Sequence, residues 1–446
     1  MKNKAFGLWS AVFLGIGSMV GAGIFVLLGE AGAIAGNLVW ISFIFGGIIA
    51  LLSGYSLAKL ATAYPSRGGI VEYLVECYGE GVFSGTLSIL FYLSAMVAIA
   101  MVAKTFGTYL TMMTIGIDKP LYNNLFAVGI LLTFMFINLA GSTILAKSEN
   151  IIVITKLLII LIFTIVLFFT INPELLSIKD APPIKNIFSA IALTFFAYEG
   201  FRVITNTAED IDNTKNILRA MNIAILLVMG LYIAVTFAVF GNLPLDEVIK
   251  AQDYAMAEAA KPVFGELGFK IMAIAALIST ASSINANLYA VTNVTYQMAK
   301  NGDLPRVYQI NVFKSYEGLI VSTIILIIMV LFFKLKEIAA IGSISILFIH
   351  GFVHIGHLLK INITKANKLL IYLAIITIAI AITLALQYTS KHIPNVGYSI
   401  LFGFMIAFIL EITLRLTTKR VIRKQKPNLI LEKLEDKLTD IYQRRL

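Results

Sequence analysis

Apolar stretches of about twenty residues follow one another along nearly the whole chain, separated by short polar segments. A stretch of this length can cross the hydrocarbon core of a bilayer as an α-helix. No polar segment is long enough to bury a core of its own, so the pattern predicts an all-α integral membrane protein. The twelve predicted spans are 8–33, 37–58, 82–110, 122–141, 151–171, 186–205, 217–240, 266–298, 317–334, 337–359, 367–388 and 395–416.

Composition and charge agree with a membrane protein. Of the 446 residues, 59% are hydrophobic and only 13% are charged, which leaves too little polar surface for a water-soluble protein of this size. The net charge of +10 does not indicate a nucleic-acid partner, because the lysines and arginines lie mostly in the short gaps between spans. By the positive-inside rule they predict a multi-pass protein of the cell membrane with both termini cytoplasmic, although Lys334 and Lys336 oppose this bias.

The ends of the chain and its cysteine content add little chemistry. Lys2 and Lys4 precede an apolar run too long for a signal peptide, so we expect a retained first span. The basic segment 417–446 is either a binding surface for anionic lipid headgroups or a solvated end. A single cysteine, Cys77, excludes a disulfide within the chain, and we expect no metal site and no organic cofactor.

Four glycines lie close together in the middle of the first span, at positions 15, 17, 21 and 23. One interpretation is a close-packing face, which the spacing of Gly17 and Gly21 would suit. The other is a broken helix, whose exposed N–H groups and positive dipole would bind a carboxylate. Both interpretations remain open from the sequence.

The sixth span shows a second irregular segment, in which aromatic and charged residues flank Gly200. Interrupted spans at corresponding places in two halves point to a transporter built from inverted repeats of five helices. The predicted domains are residues 1–172 for the first repeat, 173–362 for the second, 363–416 for helices eleven and twelve, and 417–446 for the tail.

Four segments in this order resemble the amino acid–polyamine–organocation superfamily of transporters. They are Gly17 to Phe25, Pro65 to Gly69, Phe196 to Phe201 and Ala299 to Pro305. The residues around Lys156 and the run Ser282 to Asn287 more closely resemble an archaeal, proton-coupled, broad-specificity amino acid transporter of this superfamily. The resemblance implies a LeuT-type fold, an amino acid substrate and sodium-independent symport with protons as the coupling ion.

Lys156 is the candidate for proton coupling. A lysine inside a span is a functional candidate by default, and burial removes the hydration that favours its charged form, so it can bind and release a proton. Alternatively, it lies near the start of the fifth span and extends to the headgroups. By resemblance, its ammonium would contact the backbone of Gly17 and Val20 and the hydroxyls of Ser282 or Ser283.

The resemblance also places a substrate site between the first and sixth spans. The substrate carboxylate would bind backbone N–H groups of the first span, and the substrate ammonium would bind backbone carbonyl groups of the sixth span. Phe196 and Tyr198 would select the substrate side chain, although aromatic residues in a span more often serve packing. The candidate substrate-binding residues are Ser18, Met19, Gly21, Ala22, Gly23, Phe196, Ala197, Tyr198, Glu199 and Gly200.

Two further groups of polar residues have open interpretations. Glu199 and Arg202 depart from the superfamily pattern, and they either pair with each other at i, i+3 or let Glu199 select cationic substrates or act as a second proton site. His350 and His354, four residues apart, have a spacing that suits a metal but lack a third ligand, which favours a hydrogen-bonded or cytoplasm-facing pair.

Other classes of membrane protein fit less well. An intramembrane enzyme would need a paired-carboxylate, nucleophile or metal constellation that the sequence lacks, and a channel or receptor would not need two irregular spans in repeat-related positions. Within transport, an amino acid or polyamine exchanger of the same fold remains the alternative to a symporter. The sequence does not define the oligomeric state.

Overall fold

The computed structural model describes residues 7–66, 68–140, 143–177, 182–301, 304–313, 315–393 and 395–417. The predicted tail from Lys419 onward therefore lies outside the described residues, as do Arg67, Gly302 and Asp303 of the superfamily motifs. Within these ranges the structure is almost entirely helical, apart from a two-residue antiparallel pair of strands, β1 (Asn311–Val312) and β2 (Ser315–Tyr316).

Long helices joined by short connections make up both halves of the chain. The first half contains α1 (Leu8–Ala35), α2 (Val39–Ala63), α3 (Ile70–Tyr78), α4 (Val82–Ile115), α5 (Pro120–Ala140), α6 (Thr143–Phe168), α7 (Ile184–Ser189) and α8 (Ile191–Tyr198), the last followed by a 3-10 segment, Glu199–Thr207. The second half contains α9 (Lys215–Phe240), α10 (Leu245–Lys250), α11 (Ala255–Glu258), α12 (Lys261–Asn301), α13 (Glu317–Phe332), α14 (Leu335–Leu359), α15 (Ile361–Thr364), α16 (Lys368–His392) and α17 (Asn395–Thr417).

Each of the twelve predicted spans overlaps a helix of the structure. Nine helical runs in the described part of the chain are long and apolar enough to cross a membrane, and three shorter apolar helices accompany them at Leu8–Val20, Ile152–Phe168 and Glu317–Phe332. Large apolar side chains remain exposed on the outer helices, among them Phe402 and Leu401 on α17. Such surfaces suit lipid rather than water, so the chain is a multi-pass membrane protein.

The predicted break in the first span is wrong, because α1 continues as one helix from Leu8 to Ala35. Its glycines serve close packing, which was the alternative interpretation. A side chain at Gly17 would press on Val153 of α6, and one at Gly23 would meet the carbonyl group of Ala197 in α8. The small cost of each glycine in a helix is offset by closer approach of the neighbouring helices.

The sixth span is irregular, as predicted, but its form is a change of helix type. The α-helix α8 ends at Tyr198, and Glu199 begins nine residues of 3-10 helix. Runs of 3-10 helix longer than a few residues are uncommon and often mark a functional hinge. The 3-10 segment begins at the predicted substrate residues Glu199 and Gly200.

The core forms around α1. This helix packs against α8, the 3-10 segment, α9 and α12, while α4 packs against α5, α12 and α14. In the described part of the chain, the buried charged side chains are those of Glu30, Lys156, Glu199, Glu411 and Arg415. Because ionised groups are costly inside a membrane, their contacts define the candidate site.

Candidate substrate and coupling site

The first and sixth spans touch each other directly through backbone atoms. A Cβ atom at Gly200 would lie 2.5 Å from the Ser18 carbonyl carbon and 2.8 Å from the Met19 Cα atom. Only glycine permits this approach. The structure therefore brings together the segments Ser18–Gly23 and Phe196–Gly200, on which the sequence placed the substrate site.

A tyrosine of α9 binds both segments. The Tyr232 hydroxyl lies 2.8 Å from the Met19 carbonyl oxygen and 3.2 Å from the Ala197 carbonyl oxygen, and the side chain is fully buried. A hydroxyl has one proton to donate, so the two carbonyls share it. Tyr232 was not predicted, because a single tyrosine in an apolar span gives no local signal.

Lys156 contacts α1 as expected. Its side chain is 1% exposed, and Nζ donates a hydrogen bond to the Gly17 carbonyl oxygen at 2.9 Å. This contact confirms the predicted link between the fifth span and the first. It excludes the alternative in which Lys156 extends to the headgroups.

The Val20 carbonyl oxygen accepts a hydrogen bond from a serine that the sequence analysis did not select. Ser279 of α12 donates to the Val20 carbonyl oxygen at 3.2 Å. Ser282 and Ser283 are buried nearby on the same helix, and the Ser283 hydroxyl accepts a hydrogen bond from Asn287. Ser279 lies one turn before the predicted pair, so the helical period could have identified it.

One turn of α1 thus receives hydrogen bonds from three helices. Gly17 accepts from Lys156 on α6, Met19 from Tyr232 on α9, and Val20 from Ser279 on α12. Each carbonyl has a second lone pair beyond the one used in the helix. The backbone of this turn is the point at which the buried polar groups converge.

The carboxylate of Glu199 is held from two sides. Arg202 Nε lies 2.8 Å from Oε1, and His350 Nε2 of α14 lies 3.0 Å from Oε2. The guanidinium of Arg202 also lies over the ring of Phe91, 4.9 Å from its centroid. The predicted pairing of Glu199 with Arg202 is confirmed, whereas the histidine partner was missed because it is 151 residues away in sequence.

The remaining candidates have defined positions. Phe196 is buried against Gly342 of α14, and Tyr198 donates its hydroxyl to the Phe43 carbonyl oxygen of α2 at 3.0 Å. Ser18 is half-buried. Gly21 and Ala22 lie within the helical backbone of α1.

A small cavity of about 40 Å³ lies between α1, α8, α14 and α16, and its polar wall includes Glu30, Lys336 and Tyr388. None of the predicted substrate or coupling residues lines it. At the predicted site, the first and sixth spans are instead in contact.

A bundle of apolar helices whose buried polar groups meet at one helix crossing, beside a change of helix type, is the architecture of a membrane transporter. Residues 6–360 match the amino acid permease family, so the chain belongs to this family, a branch of the amino acid–polyamine–organocation superfamily. Its members are transporters and not enzymes.

Three relatives show how far the similarity extends. An uncharacterized protein of Methanocaldococcus jannaschii is 37% identical over 94% of this chain and 97% of its own length. The inner membrane transport protein YbaT of Escherichia coli is 36% identical over 77% of this chain and 81% of its own length. The serine/threonine exchanger SteT of Bacillus subtilis is 29% identical over 68% of this chain and 70% of its own length.

Proposed function

We propose that the protein is a secondary active transporter that carries amino acids together with protons, independently of sodium, by alternating access. The observation that carries the proposal is the buried contact between Lys156 and the Gly17 carbonyl oxygen. A protonated Lys156 ties α6 to α1, and a neutral Lys156 holds the contact less strongly. A difference in proton affinity between two access states is what coupling requires.

Lys156 also provides the argument against sodium. A fixed ammonium group beside the Gly17 carbonyl repels a second cation from the same position. The proton then takes the role that sodium has in related folds, and no cofactor is needed.

The proposed substrate is a small zwitterion. In the proposed cycle α1 opens at this turn as the spans separate, which frees backbone N–H groups to bind the carboxylate at Ser18, Met19, Gly21, Ala22 and Gly23. The ammonium binds carbonyl groups of Phe196, Ala197 and Glu199. The side chains of Phe196 and Tyr198 contribute to selectivity. Since Tyr232 occupies the Ala197 carbonyl when the spans touch, the substrate ammonium replaces this hydroxyl as they separate.

The proposed architecture has twelve spans in the cell membrane, both termini cytoplasmic, and a LeuT-type arrangement. In it, residues 1–172 and 173–362 form two inverted repeats of five spans, and residues 363–416 form the last two. The overlap of every predicted span with a helix supports this arrangement.

The experiment is uptake of a panel of radiolabelled amino acids into proteoliposomes under an imposed inward proton gradient, with and without sodium. We expect sodium-indifferent uptake that Lys156→Ala abolishes. The control is Lys104→Ala, since Lys104 is a partly buried lysine on α4 that bonds to Asn124. Uptake that survives in Lys156→Ala would contradict the coupling role.

An exchanger is the second candidate, because one of the relatives is named a serine/threonine exchanger. The same vesicles separate the two functions. A symporter accumulates label in empty vesicles under a proton gradient, whereas an obligate exchanger needs unlabelled amino acid inside.

A further inference from the structure

Three histidines follow one face of α14 through the core. His350, His354 and His357 lie at i, i+4 and i+7, and each side chain is fully buried. Buried imidazoles in an apolar helix are costly unless they are hydrogen-bonded. The partners of each ring therefore define what this row can do.

The lower part of this row is a hydrogen-bonded chain. The Ser56 hydroxyl of α2 lies 2.9 Å from His354 Nδ1 and 2.8 Å from His357 Nδ1. His357 Nε2 lies 2.9 Å from the Thr364 hydroxyl of α15, just beyond the end of α14. A hydroxyl can accept a proton from one imidazole while donating its own to the next, so Ser56 can relay a proton between the two rings.

The upper part begins at Glu199. His350 Nε2 lies 3.0 Å from Glu199 Oε2, while His350 Nδ1 is buried and has no hydrogen-bond partner within the described residues. With the Nε2 proton directed at the carboxylate, Nδ1 is the basic nitrogen of the ring. It is therefore the position at which a second proton can bind.

One gap separates the two parts. The rings of His350 and His354 are 5.8 Å apart between centroids and inclined at 63°. Neither imidazole bonds directly to the other in this arrangement. His354 Nε2 is hydrogen-bonded to the Ser53 hydroxyl of α2 at 2.9 Å. The pathway crosses the gap through this hydroxyl and a bridging water.

The charged and titratable neighbours of the row are few. Around His350 they are Glu199 and Arg202, beside the rings of Phe195 and Phe201. Near His357 the neighbouring charge is that of Lys59 on α2. From α3, Cys77 and Tyr78 approach the row at Gly356, and from α16, Ile378 packs against Gly351.

We propose that His350, His354 and His357, with Ser56, form a proton pathway between Glu199 and the Thr364 end of α14. In each step an N–H or O–H bond breaks as the next one forms, so one proton is transferred and no electrons are exchanged. The pathway rests on the proposed proton coupling. It leads from the sixth span, whose Gly200 touches α1 next to the Lys156 contact, to the side of the membrane that the proposed topology makes cytoplasmic.

The test uses full-length protein in proteoliposomes that contain a trapped pH-sensitive dye, with a mixture of radiolabelled L-amino acids as substrate. Proton-driven uptake and dye response are compared with exchange of amino acids across vesicles at equal pH, which needs no net proton movement. The variants are His354→Gln, Ser56→Ala and Ser56→Thr, the last of which keeps the hydroxyl. The controls are His392→Gln, an exposed histidine of α16, and Ser88→Ala, a buried serine that bonds within α4.

We expect His354→Gln and Ser56→Ala to lower proton-driven uptake and the dye response at least tenfold while exchange stays within twofold of wild type. Ser56→Thr and the two controls should behave as wild type. Proton-driven uptake within twofold of wild type in both His354→Gln and Ser56→Ala, while Lys156→Ala abolishes it, would overturn the pathway and leave the proposed function standing. Proton-indifferent uptake by the wild type would overturn both.

Discussion

At the scale of single residues, Gly200 is the position most restricted by its surroundings. Any side chain there would meet the backbone of Ser18 and Met19, which cannot move as a flexible side chain can. The residue is therefore required by the contact between two spans. Its own conformation does not demand glycine.

We expect Gly200→Ala to destabilise the protein by about 1–3 kcal/mol, the usual cost of overpacking, and to lower transport at least tenfold. The matched control is Gly230→Ala on α9, where a new Cβ atom has no neighbour within 4 Å. Thermal unfolding in detergent and uptake in vesicles measure both effects. Equal stability of the two variants would argue against a close backbone contact.

Asp253, in the segment between α10 and α11, makes the stability of the protein depend on pH and lies outside the spans. Burial raises the pKa of Asp253 from 3.8 to about 6, although the nearby Glu30 carboxyl, through a hydrogen bond, and Lys104 oppose this shift. The folded protein thus binds this proton more tightly than the unfolded chain. The resulting stabilisation is complete below about pH 4 and is lost as the pH rises through 6.

We expect the stability of the wild type to fall by about 2–3 kcal/mol between pH 4 and pH 8 through this group, and Asp253→Asn to remove that part of the slope. Thermal unfolding measured across this range provides the test. Asp246→Asn, at an exposed position of α10, is the control. An unchanged slope in Asp253→Asn would show that the carboxyl is not protonated in the folded protein.

At the scale of elements, side-chain donors from different helices hold the first and sixth spans together. Tyr232 joins α9 to both of them through two carbonyl groups. Its ring packs against those of Phe43 and Tyr198, which fixes its position. The hydroxyl can therefore stabilise the closed contact specifically.

We expect Tyr232→Phe to lower the free energy of unfolding by about 1–2 kcal/mol, the value of a buried hydrogen bond together with its unsatisfied partner. Tyr398→Phe is the control, since Tyr398 is 77% exposed on α17. Thermal unfolding of both variants measures the difference. A neutral Tyr232→Phe would mean that the two carbonyls are satisfied by other groups.

A buried ion pair attaches the peripheral helix α17. Glu411 and Arg415 bond to each other with almost no exposure, and Glu411 lies against Gly85 of α4. Removing one partner of a buried pair typically costs about 3–5 kcal/mol, because the other charge remains buried. We therefore expect Arg415→Ala to be strongly destabilising in thermal unfolding and Arg415→Lys to be milder, whereas similar losses in both would point to packing of the arginine stem.

At the scale of the whole molecule, the proposed topology predicts on which side of the membrane each of two loops is exposed. In a Cys77→Ser background, Phe313→Cys, in the connection between β1 and β2, should react with an impermeant maleimide only from the cytoplasmic side. Ile117→Cys, between α4 and α5, should react only from the opposite side. Both positions are well exposed, at 88% and 61%, and labelling of both from one side would contradict the topology.

The sequence predicted the spans well because their signal is local. Hydropathy over about twenty residues needs no knowledge of neighbours, and the contact of Lys156 with Gly17 followed from a resemblance to a family. The short helix α3, the pair β1–β2 and the hydrogen bond between Glu199 and His350 were not predicted. Each depends on which helices pack together, and the continuity of α1 likewise depends on the neighbours that its glycines admit.

Side chains of three neighbouring helices bind the turn from Gly17 to Val20 through its backbone carbonyl oxygens, which every amino acid possesses. Substitutions in this turn can therefore change the size and polarity of the site while leaving its attachment points in place. Under the proposed mechanism, such substitutions change substrate preference and leave proton coupling in place. A search for shared polar side chains would overlook such a site, because what is retained is the path of the main chain.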